Sequence, residues 1–287
     1  EAGLALETFA RRLSFFFACH MNFFEEVAKF RAARRMWARI MKERFGAAED
    51  DSWLRFHTQT GGATLTAQQP GSNIVRTAYE ALAAVLGGTQ SLHTNSFDEA
   101  LSLPSEQAAR LALRTQQVLG FETGVADTVD PLGGSWFVEH LTNEIEEQAE
   151  ELIGRIDEMG GAVAAVEAGW VKSQIEESAY RMQRAIEEQR RVVVGVNRFV
   201  EDEEPPAGMP RPGQQAIETQ LARLAAVKAG RDPAALSAAL DEVRSVAGGT
   251  GNLLYPIRAA FGASATLGEI CDVLRGVFGV YQPTEAF

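Results

Sequence analysis

Three times within residues 1–125, a short run of β-forming residues is followed by a longer stretch whose apolar residues recur every three to four positions. Arg12-Leu-Ser-Phe-Phe-Phe17 reads as the first buried strand, and Phe23, Val27, Phe30, Arg34, Trp37 and Met41 mark the helix after it. Trp53-Leu-Arg-Phe-His-Thr58 reads as the second strand, with a glycine turn at Gly61-Gly62. A helix follows from near Ser72 through Val75, Tyr79, Leu82, Ala83 and Leu86, and Gly87-Gly88 stops it. The third unit has a strand over Thr89–Thr94, a loop from Asn95 to Leu103, and a helix that Pro104-Ser105 and Glu106 announce, with Leu111, Arg114, Thr115 and Val118 along it. Successive strand–helix units demand parallel strands covered by helices. The fold class is therefore α/β, either a doubly wound sheet or an arc of a (β/α)8 barrel.

After Gly124 the pattern turns helical. Asp-Pro and Gly-Gly punctuate residues 127–138, a helix is expected from Leu141 to Met159, and Gly160-Gly161 ends it. A second helical stretch covers Val163–Arg190, Val192–Val196 is an isolated β-type run, and residues 201–213, with four prolines and four acids, read as a surface connection. From Gln214 on the chain reads as mainly helical, with Ile217, Leu221, Leu224, Leu236, Leu240 and Val243 as core candidates. The expected organisation is thus βα units over 1–125, a helical region with one β run over 126–200, a linker over 201–213 and a helical region over 214–287.

A formal net charge of −12 leaves no electrostatic footprint for nucleic acid. Arg31, Arg34, Arg35 and Arg39, at helical spacing, read as a solvated, salt-bridged face rather than an anion site. No apolar run approaches the ~20 residues of a membrane-spanning helix. Cys19 and Cys271 form no CxxC pair, which suits a reducing cytoplasm. The chain opens at Glu1 without a secretory signal pattern, and that start is not expected to be the natural one.

In parallel α/β folds the ligand sits at the carboxyl ends of the strands. The polar groups expected near those ends are Arg12 and Ser14, then His57-Thr58-Gln59-Thr60, then His93-Thr94-Asn95-Ser96 with Asp98 and Glu99. A histidine such as His57 serves either as a hydrogen-bonded structural group or in the chemistry, and the end of a strand favours the chemistry. His93 reads as turn chemistry, His20 as opening a helix, and His140 as structural. Gly61-Gly62 reads as a turn that would also let a large flat ligand approach the backbone. The chain has no GxGxxG after a strand, no P-loop, no GxSxG elbow, no HExxH and no histidine pair at metal-ligand spacing.

Taken together, Arg12-Leu-Ser-Phe-Phe-Phe, Arg55-Phe-His-Thr-Gln-Thr-Gly-Gly, Leu65-Thr-Ala-Gln-Gln-Pro, the segment from Gly87 to Ala100 and Val192-Val-Val-Gly-Val-Asn resemble the large subunit of adenosylcobalamin-dependent acyl-CoA mutases. The resemblance implies that the three units are the last three of a TIM barrel, with a mainly helical segment after it. It implies coenzyme A threading the barrel axis and cobalamin capping the reacting end, where a radical carbon-skeleton rearrangement takes place. Arg12 and Ser14 match positions that contact the coenzyme A ester, and His57 matches a histidine of the reaction cavity. Gln59, Gly62, Glu99 and Ser102 match the cofactor side.

Two departures shape what is expected of partners. The family's Asp-x-His-x-x-Gly loop is absent, so cobalamin is expected to be carried by a separate subunit or domain, in an oligomer. The front half of the barrel is also expected to lie outside this chain, and the tail to be the end of a large subunit. The acyl ester is expected to be methylmalonyl-CoA/succinyl-CoA. Isobutyryl- and 2-hydroxyisobutyryl-CoA are the alternatives, because Gly61-Gly62-Ala63 lacks the tryptophan that many methylmalonyl-type chains carry there. From a different class, a non-catalytic assembly subunit would keep the fold without the chemistry.

Overall fold

Phe15–Cys19 (β1), Phe56–Thr60 (β2) and Ser91–His93 (β3) form a parallel sheet in the order β1-β2-β3 in the computed structural model, which describes residues 3–202 and 213–282. The register sets Phe16 beside His57 beside Ser91, and Ala18 beside Gln59 beside His93. Because side chains alternate along a strand, these six share one face. The opposite face packs under α2 (Phe23–Phe45) and α3 (Ser72–Leu86), with β3 leading on to α4 (Glu106–Glu122). A single-turn helix, α1 (Leu6–Phe9), precedes β1. The chain is thus α/β, as its alternation demands.

The helix-covered face holds the core. Phe30 of α2 is fully buried and stacks on Phe56 at 5.3 Å, while Phe17 meets both rings edge-on at 5.9 and 5.5 Å. Cys19, Val27, Leu54, Ala83, Ala84 and Val138 complete it. Gly46 stops α2 in the left-handed conformation at φ 67°, returning its N–H to the last turn.

Strands β1 and β2 begin about three residues later than their apolar runs suggest. Residues Ala10–Arg12 close a 3-10 turn, with the Leu13 N–H donating to the Ala10 carbonyl, and the first β1 ladder bond is Phe15 N–H to Arg55 C=O at 2.8 Å. Arg12 and Ser14 therefore precede β1 instead of lying on it. Before β2, Glu49–Asp51 forms another 3-10 turn and Trp53 stays exposed, and β2 runs on to Thr60, so Gln59 lies within it, as His57 does, instead of after it.

Beyond β3 and α4 come α5 (Trp136–Glu158), α6 (Ala162–Glu167) and α7 (Trp170–Glu187). Helix α5 starts five residues before the expected Leu141, because Trp136 and Phe137 in its first turn are exposed and carry no core periodicity. The expected helix over 163–190 is two, divided at Gly169 with φ 74°. Residues Val192–Val196 are not a strand. They form a turn with one isolated bridge, Val194 to Arg198, in which the Asn197 side chain accepts from the Val193 N–H at 2.7 Å and takes the place a neighbouring strand would fill.

Arg31, Arg35 and Arg39 form an ion-pair seam from α2 to α5 and Asp130, whereas Arg34, expected in the same row, makes none of these pairs and its Nε is buried without a hydrogen-bond partner among the described residues. Arg31 pairs with Asp130 and with Glu139 (2.5 Å), Arg35 pairs with Glu146, and Arg39 pairs with Glu146 (2.8 Å) and Glu150.

A second compact unit contains α8 (Gln214–Gly230), α9 (Pro233–Ala247), α10 (Leu254–Gly262) and α11 (Leu267–Phe278). The connection read over 201–213 lies mostly outside the described residues. Val243, Ala260, Ala265, Ile270 and Val273 are its core, with Leu236 and Leu240 partly buried. Helix α8 buries no residue, so Ile217 and Leu221, expected in the core, are exposed.

Thr266 and Glu269 form a capping box at the start of α11, and Arg231 grips the Glu269 carboxylate with two bonds of 2.8 and 2.6 Å. Arg231 first, then the Thr266 N–H, hold that carboxyl down at about 2. Its stabilising effect is complete above the ordinary glutamate range and is lost as the pH falls toward about 2. Glu269→Gln should flatten the acid limb of thermal unfolding in this unit; an acid limb as steep as the wild type's would count against the pairing.

Candidate active site

The open face of the sheet carries Phe16, Ala18, His57, Gln59, Ser91 and His93, and none of these is an acid, a lysine or an arginine. Phe16 is 65 % exposed there, an unusual position for a phenylalanine on a central sheet and one that needs a covering group. Its ring lies 4.9 Å from that of His57. His57 Nδ1 is 2.7 Å from the Ser91 hydroxyl, which fixes the imidazole plane across two strands.

At the carboxyl end of the sheet three loops converge. His20 follows β1 directly, Gly61-Gly62 follows β2, and Thr94-Asn95-Ser96 follows β3. Gln59 donates from Nε2 to Asn95 Oδ1 at 3.1 Å, and the Asn95 N–H donates to Thr60 Oγ1 at 2.9 Å. Asn95 is 2 % exposed, yet its Nδ2 has no partner among the described residues. A buried amide left so is costly unless a ligand completes it. A Cβ on Gly62 would stand 3.0 Å from that Nδ2 and 3.0 Å from Glu99 Oε1, so only glycine keeps the space between donor and acceptor clear. Gly61 is as constrained, since a Cβ there would come within 2.3 Å of the His20 ring.

Of the expected site residues, His57, Gln59, Gly62 and Glu99 are brought to this end and face of the sheet. Ser102 instead spends its hydroxyl on the Leu103 carbonyl at 2.9 Å. Arg12 and Ser14 are exposed at the amino end, separated from Gly62 by the length of a five-residue strand, roughly 16 Å. His20, His93 and Asn95 lie at this end or face of the sheet; sequence reasoning assigned His20 to a helix start, and His93 and Asn95 to the polar cluster at the third strand end, with turn chemistry as their role. The signal for His20 and His93 was their place at, or in step with, the strand ends.

Beside the glycine turn a cavity of about 580 Å³ opens, lined among others by Met21, Thr64, Arg76, Tyr79, Ile186 and Val194. Arg76 spans it, donating to the Asn73 side chain at 2.7 Å and to the Val194 carbonyl at 2.8 Å. The turn over 192–196 thus serves as a wall.

A parallel sheet with one helix-covered face, one open neutral face and a glycine turn at its carboxyl end defines an α/β protein, and in such folds ligands sit at that end of the strands. The family model described as Methylmalonyl-CoA mutase matches residues 1–280, and the chain belongs to that family. It is 46 % identical to the 2-hydroxyisobutanoyl-CoA mutase large subunit of Aquincola tertiaricarbonis over 100 % of this chain and 52 % of that protein. It is 49 % identical to the methylmalonyl-CoA mutase of Rhizobium meliloti over 97 % of this chain and 40 % of that protein. It is 45 % identical to the mitochondrial methylmalonyl-CoA mutase of Homo sapiens over 99 % of this chain and 38 % of that protein. The chain thus spans about half or less of the length of these relatives.

Proposed function

We propose that this chain forms part of an adenosylcobalamin-dependent acyl-CoA mutase, an isomerase acting on methylmalonyl-CoA and succinyl-CoA. The observation that carries the reading is the placement of His57 and Gln59 on the open sheet face, with Gly62 at its carboxyl end beneath an unsatisfied amide. In this reading β1, β2 and β3 are an arc of a (β/α)8 barrel, residues 1–125 its last three units, residues 126–200 the helical region after it and residues 214–287 a helical C-terminal region. The exposed Phe16 supports the arc, because closing a barrel would bury the open face.

The donor set fits a large neutral macrocycle. Gln59, Gly62 and Glu99, with Asn95 between them, would hold cobalamin, which would be delivered by a separate cobalamin-binding subunit or domain. The radical chemistry of the rearrangement would come from that cofactor when bound. His57, oriented by Ser91, would hydrogen-bond the acyl group, and Phe16 and Ala18 would keep water from it. Arg12 and Ser14, at the far end of the strands, would grip the coenzyme A ester, whose length suits a path along the strands. Ser102 would serve the cofactor side only by turning its hydroxyl away from Leu103. The two free cysteines accord with a reducing setting such as the cytoplasm.

The substrate has a second reading. The relative matched over the whole of this chain is named for 2-hydroxyisobutanoyl-CoA, and Ala63 follows the glycine pair. The full-length protein with a cobalamin-binding partner and adenosylcobalamin should isomerise one of succinyl-, isobutyryl- or 3-hydroxybutyryl-CoA, followed by mass spectrometry of the ester. Conversion names the substrate; cobalamin uptake with no turnover of any ester would point to a non-catalytic assembly subunit.

A further inference from the structure

Glu80, on the inner face of α3, has no exposed surface and sits behind the turn that carries Gly61 and Gly62. Its Oε2 lies 3.1 Å from the Gly61 N–H, which also donates to the Cys19 carbonyl at 2.7 Å. Its Oε1 lies 2.6 Å from the Thr64 hydroxyl, and that hydroxyl lies 2.7 Å from the Gly61 carbonyl.

A hydroxyl has one proton to give. If Glu80 is ionised, Thr64 can donate to Glu80 or to Gly61, and one of the two short contacts is left without a hydrogen. If Glu80 carries a proton, the ring closes: Glu80 donates to Thr64, Thr64 donates to the Gly61 carbonyl, and the Gly61 N–H returns to Glu80. All three contacts are then hydrogen bonds.

We propose that Glu80 is held as a neutral carboxylic acid and positions the ligand-facing Gly61–Thr64 turn through this ring, a role that rests on the cobalamin reading of that turn. The buried groups on β1 and α2 favour the neutral form, and the charge of Arg76 opposes it. On β1, the Cys19 thiol, pushed up by burial first and by Glu26 next, stays protonated and donates to the Glu80 backbone carbonyl at 3.1 Å. His20, at the end of β1, lays its ring against Gly61. On α2, Glu26 is paired with Lys29 and adds its negative charge nearby. On α3 itself, Arg76 is engaged by Asn73 and Val194 rather than by Glu80. Burial pushes the Glu80 carboxyl up to about 7, with the help of Glu26 and against the bonds from Thr64 and Gly61 and the charge of Arg76.

With a raised carboxyl, the folded protein keeps a proton that the unfolded chain has already released. Stability from this group is complete below the ordinary glutamate range, declines as the pH rises toward about 7, and is flat above it. Glu80→Gln carries the same donor and acceptor without a charge and should lack that decline. Glu80→Leu keeps the buried volume and removes both bonds.

The test uses the full-length protein with its cobalamin-binding partner. Adenosylcobalamin is titrated by visible absorption on either side of about 7, alongside urea unfolding of the same proteins. Wild-type affinity should weaken as the pH rises, Glu80→Gln should keep the wild type's low-pH affinity throughout, and Glu80→Leu should bind roughly tenfold more weakly at both, the scale of a broken bond to a buried group. Affinity and stability that follow the same pH course in wild type and Glu80→Gln, or a glutamine variant as weak as the leucine one, would overturn the positioning role and leave the mutase reading standing. A wild type that takes up no cobalamin would overturn that reading, and the positioning role with it.

Discussion

Phe30→Ala should destabilise the first unit by about 3–5 kcal/mol, the range for emptying a fully buried aromatic site. Phe30 has no exposed surface, stacks on Phe56 and meets Phe17 edge-on, so its loss leaves a hole beneath both strands that flank the candidate site. The cavity has little chance to collapse, because β1 and β2 are held by their ladder and α2 by its ion pairs with α5. Gly87 gives an internal check. A Cβ there would come within 2.5 Å of the Phe30 ring, although the backbone, at φ −79°, would accept alanine. Gly87→Ala alone should therefore cost about 1–3 kcal/mol by overpacking. In the Phe30→Ala background the same change should cost clearly less, because the ring contacts at 2.5 and 3.0 Å are gone and only the 2.9 Å contact with the Cβ of residue 30 remains to be relieved. Urea unfolding of the four proteins measures the coupling, and additive effects would mean that the two residues do not share the space.

The same contrast explains what was legible in the sequence. Helix α3 runs from Ser72 to Leu86 as its periodicity and the Gly87-Gly88 stop require, because local signals and core packing agree there. The βα alternation was legible for the same reason. Strand limits were not, because ladder bonds decide them: nothing local to Arg12-Leu-Ser says that Ala10–Arg12 will close a turn and that the ladder will start at Phe15. Ile217 and Leu221 show the opposite failure, since their spacing is that of a core helix while α8 leaves them exposed.

In the candidate site, the residue types were readable and their neighbours were not. His57, Gln59, Gly62 and Glu99 stood out as polar or flexible positions near strand ends. Asn95 was legible only as one of a polar cluster at the third strand end, because its importance lies in a bond to Gln59 across 36 positions of sequence and in a donor left without a partner among the described residues. Glu80 was hidden by its place in a helical pattern, where a glutamate reads as a solvated residue. Only burial behind the glycine turn sets it apart.

The largest functional effect is expected at His57. His57 Nδ1 and the Ser91 hydroxyl are 2.7 Å apart, and in the tautomer in which Ser91 donates, the imidazole proton sits on Nε2, where it can be given to an acyl carbonyl lying on the open face. A donor that strengthens toward the transition state is worth roughly 10²–10³ in kcat. His57→Ala in the full-length enzyme should lose about that much, while adenosylcobalamin uptake, assigned in this reading to Gln59, Gly62 and Glu99, should stay within about twofold of wild type. Ser91→Ala separates orientation from donation. It leaves the imidazole in place but frees it to rotate against Phe16, so kcat should fall by roughly tenfold with a smaller change in KM. Equal losses in the two variants would mean that Ser91 contributes more than alignment. A His57→Ala enzyme that keeps near-wild-type kcat would remove the histidine from the chemistry and leave the open face as a binding wall alone.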